Sequence, residues 1–402
     1  MELKINKQKI TLSLISVIII LLTTSPSFML NGSSMNIFLI ALMGVSPILI
    51  LLYLKSFGKE DVLLILFLLS ITFIPLANQP EAMRWSTVIY SWMFSLLFLT
   101  YRQLLLEDTF DINTFLKLLK YLIYAYAIVL VIQQICVLVG LPVFLASHYS
   151  VTEPWKLNSL AAEPSWSARS IGFLMFVYIL TRELNLKRYY NFKEDFKDDK
   201  IIWISFMWSM LTMNSATAFL FIFIVFGIFL KFRNILFILF FMIIATISLT
   251  YLEVTSFNRF FKLFTATLTL NPMEMIKADS SGSIRLVPMI VVFDIIGFTT
   301  INDWFGHGID SVQKYINILY PGLPDGFSGG GMFFIWYEYG FISFLLFTIF
   351  SLISIMKKFV FNKIVIWLFL VFFYGVNSQI VWMCITILYT LKFFENKYIK
   401  IN

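Results

Sequence analysis

Long apolar runs alternate with short polar breaks over most of the chain. Runs of membrane-spanning character lie near residues 10–30, 35–54, 61–78, 85–101, 118–139, 167–181, 201–213, 216–230, 234–252, 332–355, 359–376 and 379–394. A hydrocarbon core of about 30 Å takes about 20 residues of helix. Backbone groups in lipid must pair within their own segment, so these runs are expected to be helices. The seventh and eighth are short and meet at Met213-Asn214-Ser215-Ala216, which reads as a tight polar turn. The alternation of a membrane β-barrel is absent. The pattern predicts an all-α polytopic membrane protein with about twelve transmembrane helices, built as a single integral membrane domain over residues 1–402.

Two longer segments interrupt this rhythm, residues 140–166 and residues 253–331. The second is not low in complexity. It holds an aromatic-rich amphipathic stretch, Phe257–Leu270, and an apolar helix-like stretch, Ile284–Phe298. The latter carries Arg285 and Asp294 and is too short and too charged for a span. Both stretches are expected to be helices packed at the membrane surface.

Composition sharpens the class. Of the 402 residues, 59% are hydrophobic and 13% charged, against about 25% charged in an ordinary soluble domain. Most of the 30 basic residues fall in the segments that share a side with Lys4, Lys7 and Lys9. The positive-inside rule then puts both termini in the cytoplasm and the two long segments outside, as a first external loop and a large external loop. The net charge of +7 is thereby read as an insertion signal, and no nucleic-acid partner is called for. The basic start is followed by an apolar run without a small-residue cleavage site, so the first run is expected to be retained. Cys136 and Cys384 both fall in expected spans, and no disulfide follows from them. His148 and His307 lie far apart in sequence, so no zinc site is expected.

Ionisable groups gather at a few places. Glu163-Pro164-Ser165-Trp166 and then Arg169 stand at the start of the sixth run. One reading gives Arg169 to a phosphate and Glu163 to a hydroxyl. The other is a helix start, with Pro164 in its first turn, an acid favoured by the dipole and an arginine snorkelling to the interface. In the large loop, Arg285 lies on the polar side of an apolar helix, suited to bidentate phosphate binding. His307 sits between Gly306 and Gly308 and is followed by Asp310. Glycines there permit close backbone approach, and a histidine can move a proton near neutral pH. The alternative is a glycine turn with an incidental histidine. Glu338, inside the tenth run, is a buried carboxylate that needs a partner. Gly326-Phe327-Ser328-Gly329-Gly330 fits G-x-S-x-G in letters but precedes a span rather than joining strand to helix, so it reads as a loop.

Three stretches taken together, LAAEPSWSA (160–168), LTMNSATAF (211–219), and Arg285 with FGHGID (305–310) and GGGMFFIWYEYGFISFLLF (329–347), resemble O-antigen and capsular polysaccharide polymerases of the Wzy type, within the O-antigen polymerase and ligase superfamily. The resemblance covers roughly residues 120–350. One departure is Ser215-Ala216, where such proteins commonly carry Ser-Arg; Lys156, Lys262 or Lys314 are candidates for the missing cation. The resemblance implies a GT-C-like membrane glycosyltransferase of the bacterial cytoplasmic membrane that joins undecaprenyl-diphosphate-linked oligosaccharide repeat units on its outer face. It implies Arg169 and Arg285 at the diphosphate and Glu163 or His307 at the acceptor proton, with Glu163 favoured as base or acceptor binder and His307 as a diphosphate or hydroxyl contact, and substrate contacts from Ser165, Lys156, Asn214, Ser215, Asp310 and Lys314. Trp304, Tyr315 and Tyr320 are candidate sugar-stacking rings. No metal and no cofactor is implied, because fixed cations take that role. Membrane lipids are implied partners, with a chain-length regulator and a flippase as further candidates. Two alternatives stay open: a ligase that moves finished glycan to another acceptor, and a flippase or transporter. Transporters tend to carry charges or broken helices at mid-membrane and internal repeats; here the central runs are mostly clean and no repeat is visible.

Overall fold

A computed structural model of the chain describes residues 2–24, 36–107, 110–145, 149, 153–213, 215–229, 255–319, 331–357 and 360–399. The described residues form helices without strands. In chain order the α-helices are α1 (Glu2–Thr24), α2 (Ile37–Tyr53), α3 (Lys59–Asn78), α4 (Trp85–Leu106), α5 (Ile112–Val139), α6 (Pro164–Leu186), α7 (Phe192–Thr212), α8 (Ala216–Gly227), α9 (Thr255–Leu268), α10 (Pro272–Ala278), α11 (Ser280–Ile295), α12 (Ile301–Phe305), α13 (Ser311–Leu319), α14 (Gly331–Ile355), α15 (Phe361–Trp367) and α16 (Gln379–Ile399). A π-helical turn, Leu368–Phe372, continues α15. Among the described residues α3, α5 and α14 are long and apolar enough to cross a membrane. Helices α2 and α8, Thr11–Thr24 of α1 and Phe361–Phe372 are shorter apolar pieces. The expected run 234–252 lies outside the described residues.

Helix ends differ from the apolar runs where polar residues continue the helix. The seventh run is expected from residue 201, yet α7 begins at Phe192. Asn191 caps it by accepting from the Lys193 N–H, and Glu194 and Asp195 occupy the first turn, where the dipole favours them. Hydropathy marks contact with lipid; the backbone ladder runs on beyond it. The charged segment 182–200 is accordingly mostly helical.

Two compact units are present. The first contains α1–α4 and α10–α16, and the second contains α5–α8; α9 is divided between them. In the first unit α14 packs along α3, and α11, α12 and α13 pack on α14. Its apolar centre joins Phe67 to Phe347 at 4.8 Å, while Phe98 meets Phe350 and Tyr389 edge-on. Met275, Val287, Val291, Val292, Val312 and Ile316 form a small core under the helices of residues 263–319, sealed by Phe333, Phe334 and Tyr337 of α14. The second unit is built on α6, which is buried from Ser167 to Ile179 and packs with α5, α7 and α8.

Candidate functional site

In the first unit the loop after α12 is held backbone to backbone against α14. Gly306 (φ +90) and Gly340 (φ +87) face each other there. A Cβ on Gly306 would collide with the Glu338 carbonyl, and one on Gly340 with the Trp304 carbonyl. Only glycine combines such φ angles with such close approach. Gly340 breaks the helical geometry of α14 at this point. The His307 N–H donates to the Tyr337 carbonyl at 2.8 Å. Asn78, the last residue of α3, donates to the Gly306 carbonyl at 3.0 Å, and the Gln79 side chain adds a second bond at 3.4 Å.

This clamp fixes a polar cluster. His307 stacks on the Tyr337 ring at 4.3 Å and 10°. Its Nε2 lies 3.3 Å from Asp303 Oδ1. Asp303 is buried and closes a capping box with Thr300: its Oδ2 accepts the Thr300 N–H at 2.8 Å, and its own N–H donates to Thr300 Oγ1 at 3.2 Å. Burial opposes the charged form of Asp303, but the bonds from Thr300 and His307 outweigh it and hold the carboxyl below the usual carboxylate range. Asp310, at φ +62, accepts a charged hydrogen bond from Arg84 at 2.8 Å. Glu338, expected to need a partner, has two: the backbone N–H groups of Asp310 and Val312 at the start of α13. The buried carboxyl is thereby given partners at a helix start.

The remaining residues singled out in this unit are placed as follows. Trp304 is half-exposed, donates to the Phe298 carbonyl at 3.1 Å, and meets Phe341 edge-on at 5.4 Å. Tyr315 packs partly into the small core, and Lys314 is exposed on α13. Arg285 lies in the second turn of α11, between Gly282 and Leu286; its side chain lies outside the described residues, as do Tyr320 and the 326–330 glycines.

In the second unit Glu163, Ser165 and Arg169 are brought together. Glu163 is the N-cap position of α6 and Pro164 its first residue. Arg169 Nε donates to the Ser165 carbonyl at 2.8 Å, a terminal guanidinium nitrogen donates to Ser165 Oγ at 2.9 Å, and Ser165 Oγ donates to Glu163 Oε2 at 3.1 Å. The guanidinium also lies over Trp166 at 5.8 Å. Arg169 is 2% exposed, so it is not a snorkelling residue. The preceding loop is tied down on α5: Gln133 accepts the Ser159 N–H at 2.8 Å, and Ser159 Oγ donates to the Tyr126 carbonyl at 2.5 Å. Lys156 pairs with Glu153 at 2.9 Å on the surface. Ser215 is buried at the N-cap position of α8; Asn214, at the centre of the expected turn, and His148 lie outside the described residues.

Sequence reasoning missed Asp303, Tyr337, Arg84 and Asn78. For Asp303 a signal existed, since it stands four residues before His307. For Arg84 none did, because its partner Asp310 is 226 residues away. No protein-family model, no curated protein and no solved structure matches the chain.

Proposed function

We propose that this chain is a membrane glycosyltransferase that polymerises undecaprenyl-diphosphate-linked oligosaccharide repeat units into surface polysaccharide. On this reading it spans the bacterial cytoplasmic membrane about twelve times, with both termini in the cytoplasm and residues 253–331 outside. A hydroxyl of the acceptor repeat attacks the anomeric carbon of the donor, and the lipid diphosphate departs. Arg285 and Arg169 stabilise charge on the diphosphate. Glu163 or His307 takes the acceptor proton. Lys156, Lys314, Asp310, Ser165, Asn214 and Ser215 contact the substrates, and Trp304 and Tyr315 offer faces to sugar rings.

The observation that supports the reading best is the cluster around His307. A histidine bonded to a buried acid, beside an arginine–aspartate pair, sits on a loop held by a side-chain bond from α3 and a backbone bond to α14, two helices of membrane-spanning length. Acid–base groups fixed at the end of an apolar bundle suit a substrate that is half lipid and half sugar.

The test is a gene deletion complemented with wild type or with Arg285→Ala, read on a surface-polysaccharide gel at equal protein level. Wild type restores a ladder of long chains, while Arg285→Ala leaves single repeat units. Normal ladders from Arg285→Ala remove its role at the diphosphate. In the deletion strain, long chains left on the lipid carrier indicate a ligase instead, and loss of all external repeat indicates a flippase.

A further inference from the structure

We propose that Asp303 is the positioning residue for His307: it fixes the imidazole as the tautomer with hydrogen on Nε2 and leaves Nδ1 as the atom that takes a proton from the substrate. The substrate rests on the polymerase reading above; the tautomer does not.

Three observations carry this. First, the Asp303 carboxylate cannot turn away, because its Oδ2 is committed to the Thr300 N–H and the Asp303 N–H to Thr300 Oγ1. That leaves Oδ1 to face His307 Nε2 at 3.3 Å. An ionised carboxylate only accepts hydrogen bonds, so Nε2 must carry the hydrogen. A neutral imidazole has one such hydrogen, and Nδ1 therefore holds a lone pair. Second, the plane of the ring is fixed and Asp303 selects its flip. Tyr337 covers one face, the His307 N–H is bonded to the Tyr337 carbonyl, and Asn78 and Gln79 hold the preceding carbonyl; within that plane, the flip that puts Nε2 on Asp303 Oδ1 gains a hydrogen bond. Third, Nδ1 has no hydrogen-bond partner among the described residues, and about a quarter of the side chain, 26%, remains exposed. A ring held this firmly with one basic atom open is arranged to receive a proton.

The step balances. The acceptor hydroxyl gives its proton to Nδ1 as its oxygen forms the bond to the anomeric carbon. The bond from that carbon to the diphosphate oxygen breaks, and its electron pair leaves with the diphosphate. The imidazolium, steadied by Asp303, then releases the proton to water or to the departing diphosphate.

The experiment uses the full chain in lipid nanodiscs with ¹⁵N-labelled histidine. The chain has two histidines, so a His148→Gln variant leaves the His307 signals alone. At alkaline pH, where an imidazole is neutral, the hydrogen is expected on Nε2. In Asp303→Asn the Thr300 N–H retains the amide oxygen, so the amide NH₂ faces His307 and drives the hydrogen to Nδ1. Chain extension on lipid-linked repeat units should then fall by roughly 10²–10⁴ in kcat with little change in KM. A hydrogen on Nδ1 in the parent protein overturns the proposal, and that spectrum needs no substitution at position 303. A tautomer switch with undiminished chain extension overturns the proton-acceptor role. A parent protein that shows the Nε2–H tautomer but extends no chain defeats the polymerase reading and leaves the positioning role of Asp303 in place.

Discussion

The two ends of α3 treat charge in opposite ways. Helix α3 is 20 residues long, so its ends stand about 30 Å apart. At its start, Asp61 pairs with Arg102 at 2.5 Å and Glu60 with Lys392 at 2.7 Å, and Lys392 also donates to the Ile353 carbonyl. The same unit holds a Lys363–Glu395 pair at 2.7 Å. The side chains of Asp61, Arg102 and Lys363 are 0%, 7% and 3% exposed. At its other end, Asn78 supports the loop where Arg84 meets Asp310 at a similar 2.8 Å, yet those side chains are 60% and 42% exposed. Bond lengths barely separate the two ends; burial does. A buried charge must keep its partner, whereas an exposed pair loses little by opening. The first end is a clasp that joins helices, and the second leaves an ion pair open to its surroundings.

That contrast breaks most sharply at Arg102. Arg102→Ala should strand the Asp61 carboxylate and cost about 3–5 kcal/mol, read as thermal unfolding in detergent. Asp61→Leu combined with Arg102→Met should recover most of the loss, because it removes both charges together. If the single and double variants unfold alike, the clasp is packing and not charge. Next in size is Gly340→Ala. It places a Cβ against the Trp304 carbonyl at a φ that only glycine holds comfortably, at a cost of roughly 2–4 kcal/mol. Unchanged stability there would dissolve the backbone clamp that seats His307. Smallest is Arg84→Ala, with at most about 1 kcal/mol of stability lost and chain extension reduced. A stability loss as large as that of Arg102→Ala would erase the difference between the two ends.

The apolar runs made the helices legible, because lipid forces backbone bonds to stay within a segment. The helix start at Pro164 was legible from the proline of its first turn, and the break between α7 and α8 from the polar residues around it. The charged start of α7 was not, since hydropathy reports solvent and not hydrogen bonding. Within the site, His307 and Asp310 announced themselves by the glycines around them, and Glu338 by its place in an apolar run. Their partners came from afar. Arg84, Asn78 and Tyr337 reach the loop only once α3 and α14 pack together, and a single sequence carries no local mark of such contacts. Asp303 was within reach of the four-residue rule, but Gly306 ends the helix between it and His307, which disguised the pairing.

The central claim is that this chain extends glycan on a lipid diphosphate. Its most direct test is to supply the purified full chain, in vesicles, with polyprenyl-diphosphate-linked oligosaccharide and to weigh the products by mass spectrometry. The account predicts products at successive multiples of the repeat mass, with one free polyprenyl diphosphate released per joining. Repeat units that only change leaflet, or that stay single on their carrier with no diphosphate released, would contradict it.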